Sequence, residues 1–184
     1  MARGKGLGDV YTATLTRLKA QKGVRAALGL KALMWVSYSE RPLRAEELCH
    51  ALGVEIGSTD LDPEDVPAIR TLLASCLGLL AVEASSPTVR LLHPSLQEHL
   101  RSDPPLFHSP HSTIAEVCLT YLNFKPLWDP PQNPESASLA MPLQEYASCY
   151  WRKHARRETT QEVRELALRL LNRRATQFGL RSLG

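Results

Sequence analysis

The stretch LLAVEASSPTVRLL, from Leu79 to Leu92, constrains the fold more than any other. Two β-prone runs flank ASSP, a cluster of turn-forming residues, and that arrangement predicts a β-hairpin. An isolated two-stranded hairpin is marginal in water, so it needs another layer to pack on. The sequence before it offers only helical spacing. Asp9–Lys22 places Val10, Leu15 and Leu18 at helical intervals and stops at Gly23. Val24–Tyr38 follows, with Leu28, Ala32, Trp35 and Val36 on one face. Arg44–Leu52, just after Pro42, turns Leu48, Ala51 and Leu52 inward and ends at Gly53. Asp62 then reads as an N-cap, with Pro63 at N1 and Asp65 in an acidic first turn. Ile69, Leu72, Leu73, Cys76 and Leu77 form the stripe of that helix, and Gly78 ends it.

Three helices followed by a two-stranded hairpin is the order of a winged helix. The sequence beyond the hairpin is helical again. Pro94–Leu100 predicts a short helix, SDPPLFHSP a connector, and Thr113–Phe124 a helix burying Ile114, Val117, Cys118, Tyr121 and Leu122. KPLWDPPQNPESAS has four prolines and is expected to be an irregular, mobile linker from Lys125 to Ser138. Pro142 opens a helix with Leu143, Tyr146, Ala147, Tyr150, Trp151 and His154 along its stripe. Thr159 and Glu162 read as a capping box for a last helix, with Val163, Leu166, Ala167, Leu170 and Leu171 inward and arginines opposite. The expected class is therefore mainly α with one small β-hairpin, a winged helix followed by a helical bundle.

Several chemistries are excluded by what the motifs lack. GVRAALGLKA has the wrong spacing for a phosphate-binding G-x-x-x-x-G-K-[ST] loop and lies in a helical pattern. No G-x-S-x-G elbow exists. Cys49 and His50 are adjacent, and neighbours on a helix point roughly 100° apart, so they make no nucleophile–base pair. The chain is not expected to be an enzyme. Cys49, Cys76, Cys118 and Cys149 form no C-x-x-C pair, which predicts buried free thiols in a reducing compartment and no metal. No export signal precedes an apolar core, and the longest apolar run, CLGLLAV, is far short of a membrane span. A cytoplasmic protein with no membrane contact follows as the expectation. The net charge of +3 is too small to imply nucleic acid. The third helix begins DPED and offers only Arg70, and the wing adds only Arg90. Carboxylates there repel phosphates, so sequence-specific nucleic-acid binding is disfavoured.

One residue stays open on this reading. In VRLLHPSLQEHL, His93 sits where the second strand ends and Pro94 begins a helix. It could be a core histidine, a helix cap or an anion ligand. Strand alternation sends it to the same face as Leu91, and the free N–H groups of the helix point back at it.

The ordered set LGLKALMWVSYSERPLRAEELCHALGVE, DPEDVPAIRTLLASCLGLL, VRLLHPSLQEHL, CLTYL and EYASCYWRKHAR resembles the region after the NACHT nucleotide-binding domain in fungal NACHT–ankyrin proteins of the STAND class. That region is described as a winged helix of "GPI inositol-deacylase" type; the label names an esterase, but these motifs imply none. GKGLGDVYTATLTRL is similar to the final helix of the NACHT helical subdomain. The resemblance implies three parts: 1–23 a terminal helix of that subdomain, 24–105 the winged helix, and 106–184 a helical extension toward a repeat array. It implies a regulatory module that closes over ADP on a NACHT domain. ADP or ATP would be held by that domain and no cofactor by this chain. The implied partner is the NACHT domain within the same polypeptide, or another protein surface. The P-loop core and ankyrin repeats of the family are not in this sequence, which suggests a piece of a larger switch. In related plant resistance receptors and apoptosome ATPases, a histidine directly after the wing contacts the β-phosphate within Met-His-Asp, and His93 stands at the matching place. Two departures accompany it: Pro94 replaces the acidic residue, and His99 stands where the family usually has an aromatic. A DNA-binding winged helix is the alternative.

Overall fold

The computed structural model describes residues 6–83, 85–102, 106–128 and 141–181, with side chains described as far as residue 176. The elements are α1 (Leu7–Lys19), α2 (Val24–Tyr38), β1 (Leu43–Arg44), α3 (Ala45–Gly53), α4 (Ile69–Ser75), β2 (Leu80–Val82), β3 (Thr88–Leu91), α5 (Pro94–Ser102), α6 (Pro110–Leu122), α7 (Lys125–Trp128), α8 (Gln144–Arg157) and α9 (Gln161–Arg181). They fall into two compact units. The first comprises Met1–Leu52 and Pro67–Pro110; the second comprises Gly53–Val66 and His111–Gly184. Residues 53–66, expected inside the winged helix, thus belong with the C-terminal helices.

The first unit has the order α2–β1–α3–α4–β2–β3, a winged helix with α1 and α5 added. The hairpin predicted around ASSP is present, with Leu80 opposite Leu91 and Val82 opposite Val89. Glu83 N–H closes it on the Thr88 carbonyl at 2.9 Å. A third strand was not expected. Leu43 and Arg44 pair with Val89 and Thr88, giving the antiparallel order β1–β3–β2. Leu43 and Val89 face each other and both are buried, so the new strand closes the core.

Helix α2 has the predicted limits but a different burial. Ala32, Leu33, Met34, Trp35 and Ser37 are all buried, so the C-terminal half of the helix is enclosed nearly all round rather than along one stripe, while Val24, Arg25, Ala27 and Lys31 are exposed. Gly29 explains how α4 comes so close: a Cβ there would lie 2.6 Å from the Ser75 carbonyl oxygen. In α1, Tyr11 takes an inward place while Val10 is exposed. His99 lies with its ring centroid 5.6 Å from that of Tyr11.

The helix expected to start at Asp62 does not run through. Asp62 does cap, accepting the Glu64 N–H at 2.9 Å, but it opens only a 3₁₀ turn over Pro63–Asp65. Pro67 is the cause. It has no N–H to continue the ladder and disfavours helical backbone at the residue before it; Val66 has ψ of 109°. The α-helix restarts at Ile69. It ends with Leu77 and Gly78 both at positive φ, 50° and 81°, where glycine at the second position costs no steric strain.

In the second unit, α6 buries Ile114, Ala115, Val117, Cys118, Leu119 and Tyr121. Asn123 donates to the Leu119 and Leu166 carbonyls, joining the end of α6 to α9. The first part of the expected linker is regular. Lys125–Trp128 form α7, where the Trp128 indole N–H donates to the Leu122 carbonyl at 2.7 Å. The rest of that linker, residues 129–138, lies outside the described residues. The cap of α9 is Thr160, whose Oγ1 accepts the Val163 N–H at 3.2 Å, and not Thr159, which turns back to the Ala155 carbonyl. Leu171 is exposed rather than inward, and Arg173, one of the arginines expected to be solvated, donates to the Asn123 carbonyl. Of the four cysteines, Cys149 is exposed and the other three are buried.

Candidate functional site

His93 is exposed at the bend between β3 and α5. Its backbone carbonyl accepts the Leu96 N–H at 3.0 Å, and its Nδ1 accepts the Ser95 N–H at 3.2 Å. The side chain is therefore bonded as an N-cap for α5. Of the three readings the residues allowed, burial in the core is excluded.

The hydrogen bonds also assign the tautomer. Since Nδ1 accepts from Ser95 N–H, it carries no proton. Ser95 Oγ lies 2.8 Å from Nδ1 and 2.9 Å from Tyr11 Oη. The consistent direction is Tyr11 O–H to Ser95 Oγ, and Ser95 O–H to His93 Nδ1. The ring proton of the neutral imidazole is then on Nε2, as a second partner fixes which nitrogen donates. Pro94 takes the first helical position at no hydrogen-bond cost. Neither Tyr11 nor Ser95 was singled out from sequence; Tyr11 lies 84 residues from Ser95, and no local pattern reports such a pairing.

Beside His93 a groove of about 440 Å³ opens in the first unit. Val36, Pro42, Val89, Leu92, Pro94 and Gln97 contribute to its walls, with Arg41 and Arg90 among the polar lining. Leu92, next to His93, is 65% exposed, the mark of an apolar side chain with nothing of this unit to cover it. Arg41 is tied down: it grips Glu47 through two bonds of 2.8 and 2.7 Å. Glu47 also accepts the Arg44 N–H at 2.8 Å, the returning half of a capping box, one that begins with Arg instead of Ser or Thr.

Burial shapes the other titratable candidates. Burial pushes the Cys49 thiol up to about 11, helped by Glu46, and the Cys76 thiol up to about 12. The thiolate is the nucleophile, so neither thiol is poised for reaction near neutral pH. Burial also lowers the affinity of His50 for a proton. The helix in the position of a DNA-reading helix, α4, is only seven residues long. Its exposed cation is Arg70, preceded by exposed Asp62, Glu64 and Asp65. Among the described residues no helix is long and apolar enough to cross a membrane.

Comparison with known proteins gives a family. The sequence profile described as "GPI inositol-deacylase, winged helix domain" matches residues 15–116, more than half of the chain. No curated protein and no solved structure matches it. The matched span contains the whole α2–β1–α3–α4–β2–β3 order and the His93 cap, and the chain belongs to the GPI inositol-deacylase winged helix domain family.

Proposed function

We propose that this chain is a non-catalytic regulatory module of a STAND-class switch. In this reading the winged helix closes over ADP on a NACHT domain, an NTPase domain whose motifs these 184 residues do not contain. The chain itself holds no cofactor, works in the cytoplasm, and has α9 as its lead-in to a repeat array. The observation that carries the reading is the state of His93. An exposed imidazole has its Nδ1 engaged by Ser95, which leaves Nε2–H directed away from its own helix cap. A neutral donor at a helix N-terminus suits a phosphate oxygen, since the helix end favours negative charge. The exposed Leu92 and the adjoining groove supply apolar surface for the covering domain.

The cap and the sensor can be separated. His93→Asn retains a side chain suited to capping and removes the Nε2 donor. In the 184-residue chain we expect His93→Asn to leave stability nearly unchanged, and His93→Ala to cost about 1 kcal/mol or less as a lost cap. In a polypeptide joining this module to its NACHT domain, both substitutions should weaken ADP retention by about 1–3 kcal/mol, the size of a hydrogen bond to a charged group. Equal ADP dissociation rates for wild type and His93→Asn would reduce His93 to a helix cap and remove the support for the switch. A DNA-binding role is the second reading, because winged helices often read DNA through their third helix; the acidic lead-in to α4 stands against it.

A further inference from the structure

The second unit contains a pair of histidines that neither the winged helix nor its groove uses. His154, on α8, is fully buried. Its Nδ1 lies 2.9 Å from Nδ1 of His111, at the start of α6, and its Nε2 lies 2.9 Å from Tyr146 Oη. The two imidazole rings are 5.1 Å apart at 37°. A contact of this length between two ring nitrogens requires one proton between them: one nitrogen donates and the other accepts.

The possible protonation states can be enumerated. With both rings neutral, one Nδ1 is protonated and the other bare. One added proton leaves the contact intact, because the bridge still needs a single hydrogen. His154 Nε2–H then donates to Tyr146 Oη, His111 Nε2 carries its own proton, and the bridging proton sits on either Nδ1. A second added proton is different. Both Nδ1 atoms then carry hydrogens that face each other, and two positive charges meet at a buried His154 and a half-buried His111, which burial penalises. The pair therefore titrates as a unit.

Charged groups of both signs lie near the pair. The Glu158 carboxylate, at the end of α8, accepts the His111 N–H at 2.8 Å and the Ser112 N–H at 3.0 Å. Of the pair, the carboxylate holds His111 through its backbone N–H, while the Glu158 N–H donates to the His154 carbonyl at 3.1 Å. Glu116, further along α6, is engaged by Thr160 Oγ1, while Tyr150 stacks on Tyr146 with centroids 5.0 Å apart. On α8 the exposed Arg152, Lys153, Arg156 and Arg157 are the cations near His154 in sequence, and exposed His108 precedes α6. We infer that the His111–His154 pair is a built-in proton switch: the folded second unit accepts one proton there, and a second proton opens the junction of α6 with α8.

The test is a pH series on the full chain, following the imidazole nitrogens by NMR and the His111, Ser112 and Glu158 amides by hydrogen exchange. Between about pH 8 and pH 5, a range spanning the ordinary histidine value, His111 and His154 should share one proton with these amides still protected. At the next protonation, exchange at these amides, corrected for intrinsic rates, should rise by about tenfold or more, while amides in α2 stay protected. His111→Asn keeps a donor and an acceptor opposite His154 but takes up no proton; its amides should lose this step, which separates the imidazoles from the Glu158 carboxylate. Two fully protonated rings with unchanged protection would overturn the proposal. So would a pair that takes up no proton before the whole chain unfolds, or a wild-type opening step that persists in His111→Asn.

Discussion

Glu47 carries a charge where water does not reach it, and its surroundings decide whether that is tolerable. Its side chain is fully buried, while Arg41 beside it keeps 27% of its side chain exposed. Burial acts to raise its pKa, but the bidentate Arg41, the Arg44 N–H and the two guanidinium charges outweigh it and hold the carboxyl below its ordinary 4.5. A carboxylate with a depressed folded pKa stabilises the fold above its unfolded pKa, and that contribution is lost as pH falls through the folded value. Glu47→Gln preserves shape but leaves Arg41 without its anion. Breaking a fully buried pair costs about 3–5 kcal/mol; because Arg41 can turn toward solvent, we expect about 2–3 kcal/mol here by the same reasoning. Urea unfolding at pH 7 measures it. The deficit should shrink as pH drops below the ordinary carboxylate range, since the wild type then loses the same charge. A deficit that stays constant with pH would mean that Glu47 acts through packing alone. None of this was visible in the sequence. Arg41 precedes Glu47 by six residues, a spacing with no helical meaning, and Arg44 is not a usual partner in a capping box. Tyr11 and Ser95, which set the proton of His93, were hidden for the same reason of separation along the chain.

At the scale of elements, boundaries marked by glycine or by turn chemistry were legible, and those decided by tertiary contact were not. Val24–Tyr38 could be read to the residue because Gly23, at φ 64°, breaks the chain before it. The ASSP turn placed the hairpin. β1 is two residues long, too short for any alternation to show, and exists because Leu43 finds Val89. The false start at Asp62 had every local signal of a helix, and Pro67, five residues on, overrode them. Gly29 figures in the sequence only as part of a rejected phosphate-loop spacing, yet it sets how close α2 and α4 pack. Gly29→Ala should gain up to about 1 kcal/mol in helix propensity. That gain is offset by a Cβ only 2.6 Å from the Ser75 carbonyl oxygen and 3.3 Å from Leu18 Cδ1. Backbone must move, and overpacking of this kind costs about 1–3 kcal/mol, so thermal unfolding should show a net loss. An unchanged or raised Tm would show that α4 yields freely. The same short α4 also bears on nucleic acid. With Arg70 on it, Arg90 on the wing and three carboxylates before it, the surface that would face DNA can neutralise few phosphates. Duplex binding near physiological salt should be weak, with no preference among sequences and a shallow dependence on salt. A tight, sequence-selective complex would restore the DNA-reading alternative.

At the scale of the whole molecule, the helical class and the winged-helix order followed from local periodicity, whereas the division into units did not. The segment 53–66 lies between α3 and α4 in sequence and reads as part of the winged helix. Its bonds go elsewhere. Gly57 N–H donates to Thr120 Oγ1 at 3.1 Å, and the Thr59 carbonyl accepts Lys125 N–H at 2.9 Å. Leu61 is buried at 5% exposure. Contacts over more than sixty residues leave no trace in a pattern of short period, so the sequence puts the segment with the winged helix, as the family match over residues 15–116 also does, while its contacts lie in the second unit. The consequence is testable with a Glu-specific protease. Glu55 and Glu64 are exposed in the full chain, but the backbone around them is anchored. In a polypeptide ending at residue 110, Thr120 and Lys125 are gone and the two anchoring bonds with them. Proteolysis follows local opening, which is easiest where few contacts hold the backbone. Cleavage at Glu55 and Glu64 should accelerate by about an order of magnitude in residues 1–110 relative to the full chain. Glu46 and Glu47, held in α3 on the first unit's own core, should stay resistant in both. Equal rates at Glu55 and Glu64 would return the segment to the winged helix. Rapid cutting at Glu46 and Glu47 as well would mean that the first unit does not stand without the second.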